Sequence, residues 1–217
     1  MKSISTKTVL GFAFLLMSIF TFAQSAYEKA MGEKVNKVWQ CKTPEEFTAL
    51  SNEFIRIGDK EETQWLPYYY AALTSIQKGR TMMREGKMSE LDAVADEAQK
   101  SLTKSVELNP ENAENYILTK MVHSLRMMVN PQARFMTEGM AAAEALSKAE
   151  NLDAENPRIT LLKGEDTYFT PEQFGGSKVK GKELIAKSLE QFKVYKPKTA
   201  LDPNWGQKEA EFMMTMN

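Results

Sequence analysis

One cysteine and one histidine stand in 217 residues, and each scarcity closes off chemistry. A lone Cys41 can close no intrachain disulfide. Any Ser–His–Asp or Cys–His engine would have to use His123, and neither a nucleophile elbow nor a cysteine motif accompanies it. There is no Asn-x-Ser/Thr acceptor, no calcium-loop spacing and no basic block. A formal charge of −1, with its cations dispersed, gives no electrostatic footing on nucleic acid. Beyond the first 23 residues, no apolar run approaches the length of a membrane span.

What is present begins with an address. Lys2 and Lys7 precede the apolar "VLGFAFLLMSIFTFA" of residues 9–23, and polar "QSAYEK" follows. A basic start, a short apolar stretch and a small residue at its end describe a secretory leader, 1–23, cut after Ala23. Losing Lys2 and Lys7 moves the formal charge from −1 to −3. The remaining residues, 24–217, suit a single domain in a bacterial periplasm or outside the cell.

The rest of the chain carries helical periodicity and almost none of the alternation of strands. Thr43-Pro44-Glu45-Glu46 forms a capping box with proline at the first helical position, ahead of Phe47, Leu50, Phe54 and Ile57. Gly58-Asp59 is expected to end that helix. Pro67 opens the next, which closes near Gly86, and Ser89 with Asp92 is expected to cap a third. Asn109-Pro110, Asn130-Pro131, Asn156-Pro157 and Lys196-Pro197 supply the later breaks. About nine helices result, and the fold class is all-α.

These helices repeat. "AQKSLTKSVELNPEN" (98–112) aligns with "AAEALSKAENLDAEN" (142–156) at a constant offset of 44 residues. Ala98, Leu102 and Ser105 fall on Ala142, Leu146 and Ala149. Small residues let a helix approach its neighbour, and the large one between them fills the groove. This spacing, with "LNPEN" and "LDAEN" after it, resembles the second helix of a tetratricopeptide (TPR) repeat. The period exceeds that family's usual one and most of its first-helix aromatic pattern is missing, so the units are degenerate. The resemblance implies a right-handed stack of antiparallel helix pairs. It divides the chain into a helical cap (24–60), helix-pair repeats (61–196) and a closing helix (197–217).

"GGSKVKGKE" at 175–183 looks at first like a phosphate-binding loop, since Gly176 is followed after four residues by Gly181-Lys182. Such a loop needs a strand before it and Ser or Thr after the lysine, whereas "YFTPEQF" precedes and Glu183 follows. Gly181, Ile185 and Ser188 instead repeat the small–large–small spacing, so the segment is the start of a third second helix.

"KTPEEFTALSNEFIRI", "WLPYYYAAL", "NPRITLLKGEDTYFTPEQFGG" and "LDPNWGQKEAEF" resemble exported TPR-like proteins of Bacteroidetes-type bacteria. Through its "FGG"-then-helix element the chain is also similar to the helical periplasmic subunit of TRAP-type solute transporters.

Few residues offer themselves as a site. Trp65, Tyr68, Tyr69 and Tyr70 span a full helical turn, so they cannot all face one way. They either line a binding surface, where such rings anchor partners, or are covered by the next helix. His123 and Met127 lie one turn apart, a pairing that would suit Cu(I), but fourteen methionines also serve as core filler. Met136 and Met140 share a face, as core residues do. Cys41 reads as a small buried residue beside Trp39, and Trp205 as a cap on the stack. The paired acids, Asp92/Asp96 among them, read as solvated charges. The resulting expectation is a non-catalytic periplasmic protein-binding or scaffold protein without metal or cofactor, whose partner is a protein or peptide bound through the aromatic run. The alternative is a ligand-binding helical subunit of an envelope solute transporter, with a small-molecule ligand.

Overall fold

The computed structural model describes residues 26–216; the expected leader lies outside them. Nine helices longer than two turns, and no strand, occur among the described residues: α1 (26–35), α2 (Pro44–Glu61), α3 (Trp65–Arg84), α4 (Leu91–Leu108), α5 (Ala113–Val129), α6 (Met140–Leu152), α7 (Pro157–Phe169), α8 (Lys178–Val194) and α9 (Gln207–Thr215). The all-α expectation holds. Helices α3/α4, α5/α6 and α7/α8 pack as antiparallel pairs.

Local chemistry sets most of the helix starts. Thr43 accepts from the Glu46 amide while the Glu46 carboxylate accepts from the Thr43 amide, completing the capping box. Asn112, Asn156 and Ser177 cap α5, α7 and α8 by accepting a first-turn backbone amide on their side chains. Two expected boundaries move. Helix α2 runs a turn past Gly58, because that glycine is packing space: a Cβ there would lie 2.7 Å from Cζ of Tyr68. Helix α4 begins at Leu91 after a short 3-10 turn, with no side-chain cap from Ser89 or Asp92.

The small–large–small positions are buried in all three copies: Ala98, Leu102 and Ser105; Ala142, Leu146 and Ala149; Gly181, Ile185 and Ser188. The last copy shows what the small residues do. A Cβ on Gly181 would stand 2.7 Å from Cβ and 2.8 Å from Cα of Tyr168, and one on Gly164 would stand 2.7 Å from Ile185. Helices α7 and α8 therefore cross nearly backbone to backbone. Gly175 turns with a φ of 90° and Gly176 abuts the Thr170 carbonyl, so the apparent phosphate loop is an inter-helix turn leading to the Ser177 cap.

One large core runs through α1 to α7 and takes in Leu201 and Trp205. A smaller one joins α7, α8 and α9 through Leu161, Tyr168, Ile185, Phe192, Ala210 and Met213. The segment between α8 and α9 lies on α3: the Tyr70 hydroxyl donates to the Leu201 carbonyl at 2.8 Å, and Trp205 Nε1 donates to the Tyr69 hydroxyl at 2.8 Å.

Candidate functional site

The aromatic run is covered. Tyr68, Tyr69 and Tyr70 are buried and Trp65 is half-buried. Tyr69 packs edge-on to Trp65 at 5.6 Å and to Tyr70 at 5.2 Å, and Tyr70 stacks on Phe54. The Tyr69 hydroxyl donates to Glu114 at 2.9 Å while accepting from Trp205. Glu114 also accepts from Arg158 Nε at 2.8 Å and from the Asn156 amide at 2.7 Å. Burial, then the Glu114 charge, push the Tyr69 hydroxyl well above the usual phenol range, so it stays protonated and donating. Tyr68 donates to Asp59 at 2.7 Å and lies beneath the Lys104 ammonium. In this arrangement the run fixes α3 against the rest of the molecule.

Other singled-out residues land differently from expectation. Cys41 is half-buried, its thiol directed at the Lys37 carbonyl, and burial raises its pKa. Trp205 is buried beside Trp39 at 6.3 Å between ring centres. Asp92 and Asp96 are not simply solvated. Asp96 takes Arg126 at 2.8 Å, and Asp92 holds both terminal nitrogens of Arg134, at 2.6 and 2.8 Å. Arg134 also donates to the Arg126 carbonyl, at 2.9 Å. These bonds pin a single helical turn, Pro131–Arg134, across the end of α5.

Directly after that turn the chain forms a π turn, Phe135–Gly139, before entering α6. One extra residue per turn re-aims the side chains that follow, and such turns recur at functional sites. Here it brings Glu138 to His123, with Nδ1 2.7 Å from Oε2. Gly139 fits the turn closely against α5: a Cβ would stand 3.2 Å from Met127 Sδ and from Phe135. On the same turn and the residue after it, Phe135, Met136 and Met140 are 57%, 69% and 58% exposed. The expectation that Met136 and Met140 belong to the core is overturned, because the π turn rotates their shared face outward.

Two bridges carry the site on to α7. Glu114–Arg158 and Lys120–Asp166, the latter 2.7 Å, join α5 and α7 in step, so the two helices run parallel. His123 lies one turn beyond Lys120, and Phe169, 61% exposed, one turn beyond Asp166. By this register the histidine and the ring fall at similar heights along α5 and α7. Sequence reasoning weighed His123 and Met127 as a Cu(I) pairing against core filler, read Met136 and Met140 as core, and passed over Phe135, Glu138 and Phe169. No local signal marks a π turn.

No group of three or more His, Cys, Asp or Glu side chains among the described residues is placed to hold a metal ion. The cavity between α1 and α2 is lined largely by charged side chains, including Lys34, Glu53, Arg56, Lys60 and Glu61.

The described residues form an all-helical protein of stacked pairs that exposes Phe135, Met136 and Met140 where α5 leads into α6. Among solved structures, the HusA haemophore from Porphyromonas gingivalis matches it with a TM-score of 0.75 and 31% identity, over 87% of this chain and 90% of that one. The chain belongs to the HusA haemophore family. No protein-family model and no curated protein matches it.

Proposed function

We propose that the protein is a non-catalytic carrier of haem, working in the periplasm or outside the cell, and that the π-turn end of the stack receives the ligand. The observation that carries the reading is the exposure of Phe135, Met136 and Met140 on the π turn and the first residue of α6, the same turn that brings Glu138 to His123, in a chain of this family. A porphyrin is a flat apolar ligand, and large exposed apolar groups at one locus are the mark of a binding surface. Each 100 Å² of that surface covered by a ligand contributes roughly 2.5 kcal/mol. The exposed residues suit haem: aromatic and thioether groups match the apolar macrocycle. An exported location agrees with the leader expected over residues 1–23 and with the family. No helix among the described residues is long and apolar enough to cross a membrane.

Under this reading Trp65, Tyr68, Tyr69 and Tyr70 support the fold that presents the site rather than anchoring a protein partner. The transporter-subunit alternative shares the small ligand and adds a membrane partner.

Titration of ferric haem into the purified protein, followed in the Soret region, tests the reading. Saturable one-to-one binding is expected, weakened about tenfold or more when Phe135, Met136 and Met140 are all replaced by Ser, given that truncating anchor residues costs 1–2 kcal/mol or more apiece. These side chains are exposed, so the variant should keep its helical circular dichroism. Absence of saturable binding by the parent protein overturns the proposal.

A further inference from the structure

Resting on the haem-carrier reading, we infer that Met136 and Met140 are a modification site, oxidised by hydrogen peroxide or an organic hydroperoxide, and that their oxidation releases the ligand. Methionine is spread through the chain, but its exposure is not. Met31, Met82, Met121 and Met213 lie in the two cores. Among the described methionines only Met136, Met140 and Met214 are exposed, and the first two lead at 69% and 58% against 37%. A thioether has no proton to lose, so access to its sulfur, rather than ionisation, decides how fast it reacts. The product is the sulfoxide. A sulfur lone pair attacks one peroxide oxygen, an S–O bond forms and the O–O bond breaks. The sulfur gives up two electrons. The leaving oxygen takes the proton from the transferred one, giving water from hydrogen peroxide or an alcohol from a hydroperoxide.

The consequence follows from position. Met136 lies in the π turn Phe135–Gly139 and Met140 opens α6, so both thioethers stand on the surface proposed for the macrocycle. A sulfoxide is polar and hydrated, and an apolar ring laid over it strips that water without replacing it. The fold does not share the loss, because neither side chain belongs to either core. Reduction of the sulfoxide restores the thioether, so the modification is reversible. Met214, on α9, is open to the same reagent but lies outside the proposed surface.

The experiment treats the purified protein with dilute hydrogen peroxide, removes the excess with catalase and maps sulfoxides by mass spectrometry. Ferric haem is then titrated in the Soret region. Met136 and Met140 are expected to convert before Met31, Met82, Met121 and Met213, with helical circular dichroism retained. Haem affinity should fall about fivefold or more once both are sulfoxides, the scale of covering a polar group without a partner. Methionine sulfoxide reductases of both stereospecificities should restore it. The double variant M136L/M140L sets its own starting affinity, which peroxide should then leave unmoved, whereas M214L should respond as the parent does. Full conversion of Met136 and Met140 with unchanged haem affinity overturns the inference and leaves the carrier reading standing. An equal loss in M136L/M140L, or earlier conversion of the buried methionines, does the same. Failure of the untreated parent to bind haem saturably overturns the carrier reading, and the release falls with it.

Discussion

Glycine at two helical positions separates packing from propensity. At Gly181 the space for a side chain is taken by the Cβ, Cα and N of Tyr168, all within 2.8 Å, and backbone atoms cannot step aside. At Gly32, inside α1, a Cβ would meet nothing within 4 Å. Alanine in a helix is favoured over glycine by about 1 kcal/mol, whereas forcing a methyl into a packed crossing costs about 1–3 kcal/mol. Gly181→Ala is therefore expected to lose up to about 2 kcal/mol net, and Gly32→Ala to gain up to about 1 kcal/mol. Urea unfolding of the two variants measures both, and a shared sign would contradict this account. The crossing was partly legible, because Gly181 fell in the small position of the repeat. That its neighbour is the backbone of Tyr168 was not, since spacing along one helix says nothing about the depth of contact with another.

Among the elements, the π turn depends on its attachment. Pro131–Arg134 is held by the forked contact of Arg134 with Asp92, and the turn carrying Phe135, Met136 and Glu138 follows without a break. The hydrogen bonds from Arg134 hold the Asp92 carboxyl below the usual aspartate range. A carboxyl whose folded pKa is depressed contributes stability that is present above its unfolded value, about 3.9, and is lost as pH falls through the lower folded value. Loosening of the π turn is thus expected only in the acid region below about pH 4, where Asp92 takes up its proton. Asp92→Asn should mimic that state at neutral pH. Under the haem-carrier proposal it should reduce affinity for haem about two- to fivefold, in line with the small worth of exposed ion pairs, while leaving the global unfolding midpoint nearly unmoved. An unchanged affinity would show that the turn holds itself. Asp92 looked like a solvated charge because its partner is 42 residues away, beyond the reach of helical periodicity. The capping box was readable for the opposite reason: Thr43 and Glu46 are three residues apart and need only each other.

Across the whole molecule, the helices and their repeat were legible because both follow from local spacing. The surroundings of the aromatic run were not, because its cover comes from Leu201 and Trp205, 131 and 136 residues further on. Glu114 sits at the junction of these distant parts. It accepts from Tyr69 on α3 and from Arg158 on α7, while Arg158 Nη1 reaches the Trp205 carbonyl at 3.3 Å and its guanidinium lies over the Trp205 and Tyr195 rings. Both charged side chains are buried, so removing one abandons the other away from water. Glu114→Ala is expected to cost about 3–5 kcal/mol, the usual toll for orphaning a buried ion. In a domain of this size that lowers the melting temperature by roughly 6–20 °C. Replacing both residues, Glu114→Leu with Arg158→Met, removes the stranded charge and should recover much of the loss, since apolar replacements of buried pairs are often neutral. Thermal and urea unfolding of the two singles and the double form a cycle whose coupling is expected to exceed 1 kcal/mol. Additive losses would mean that the helices are joined by their apolar cores alone, and that the Tyr69–Glu114–Arg158 bonds merely accompany the packing.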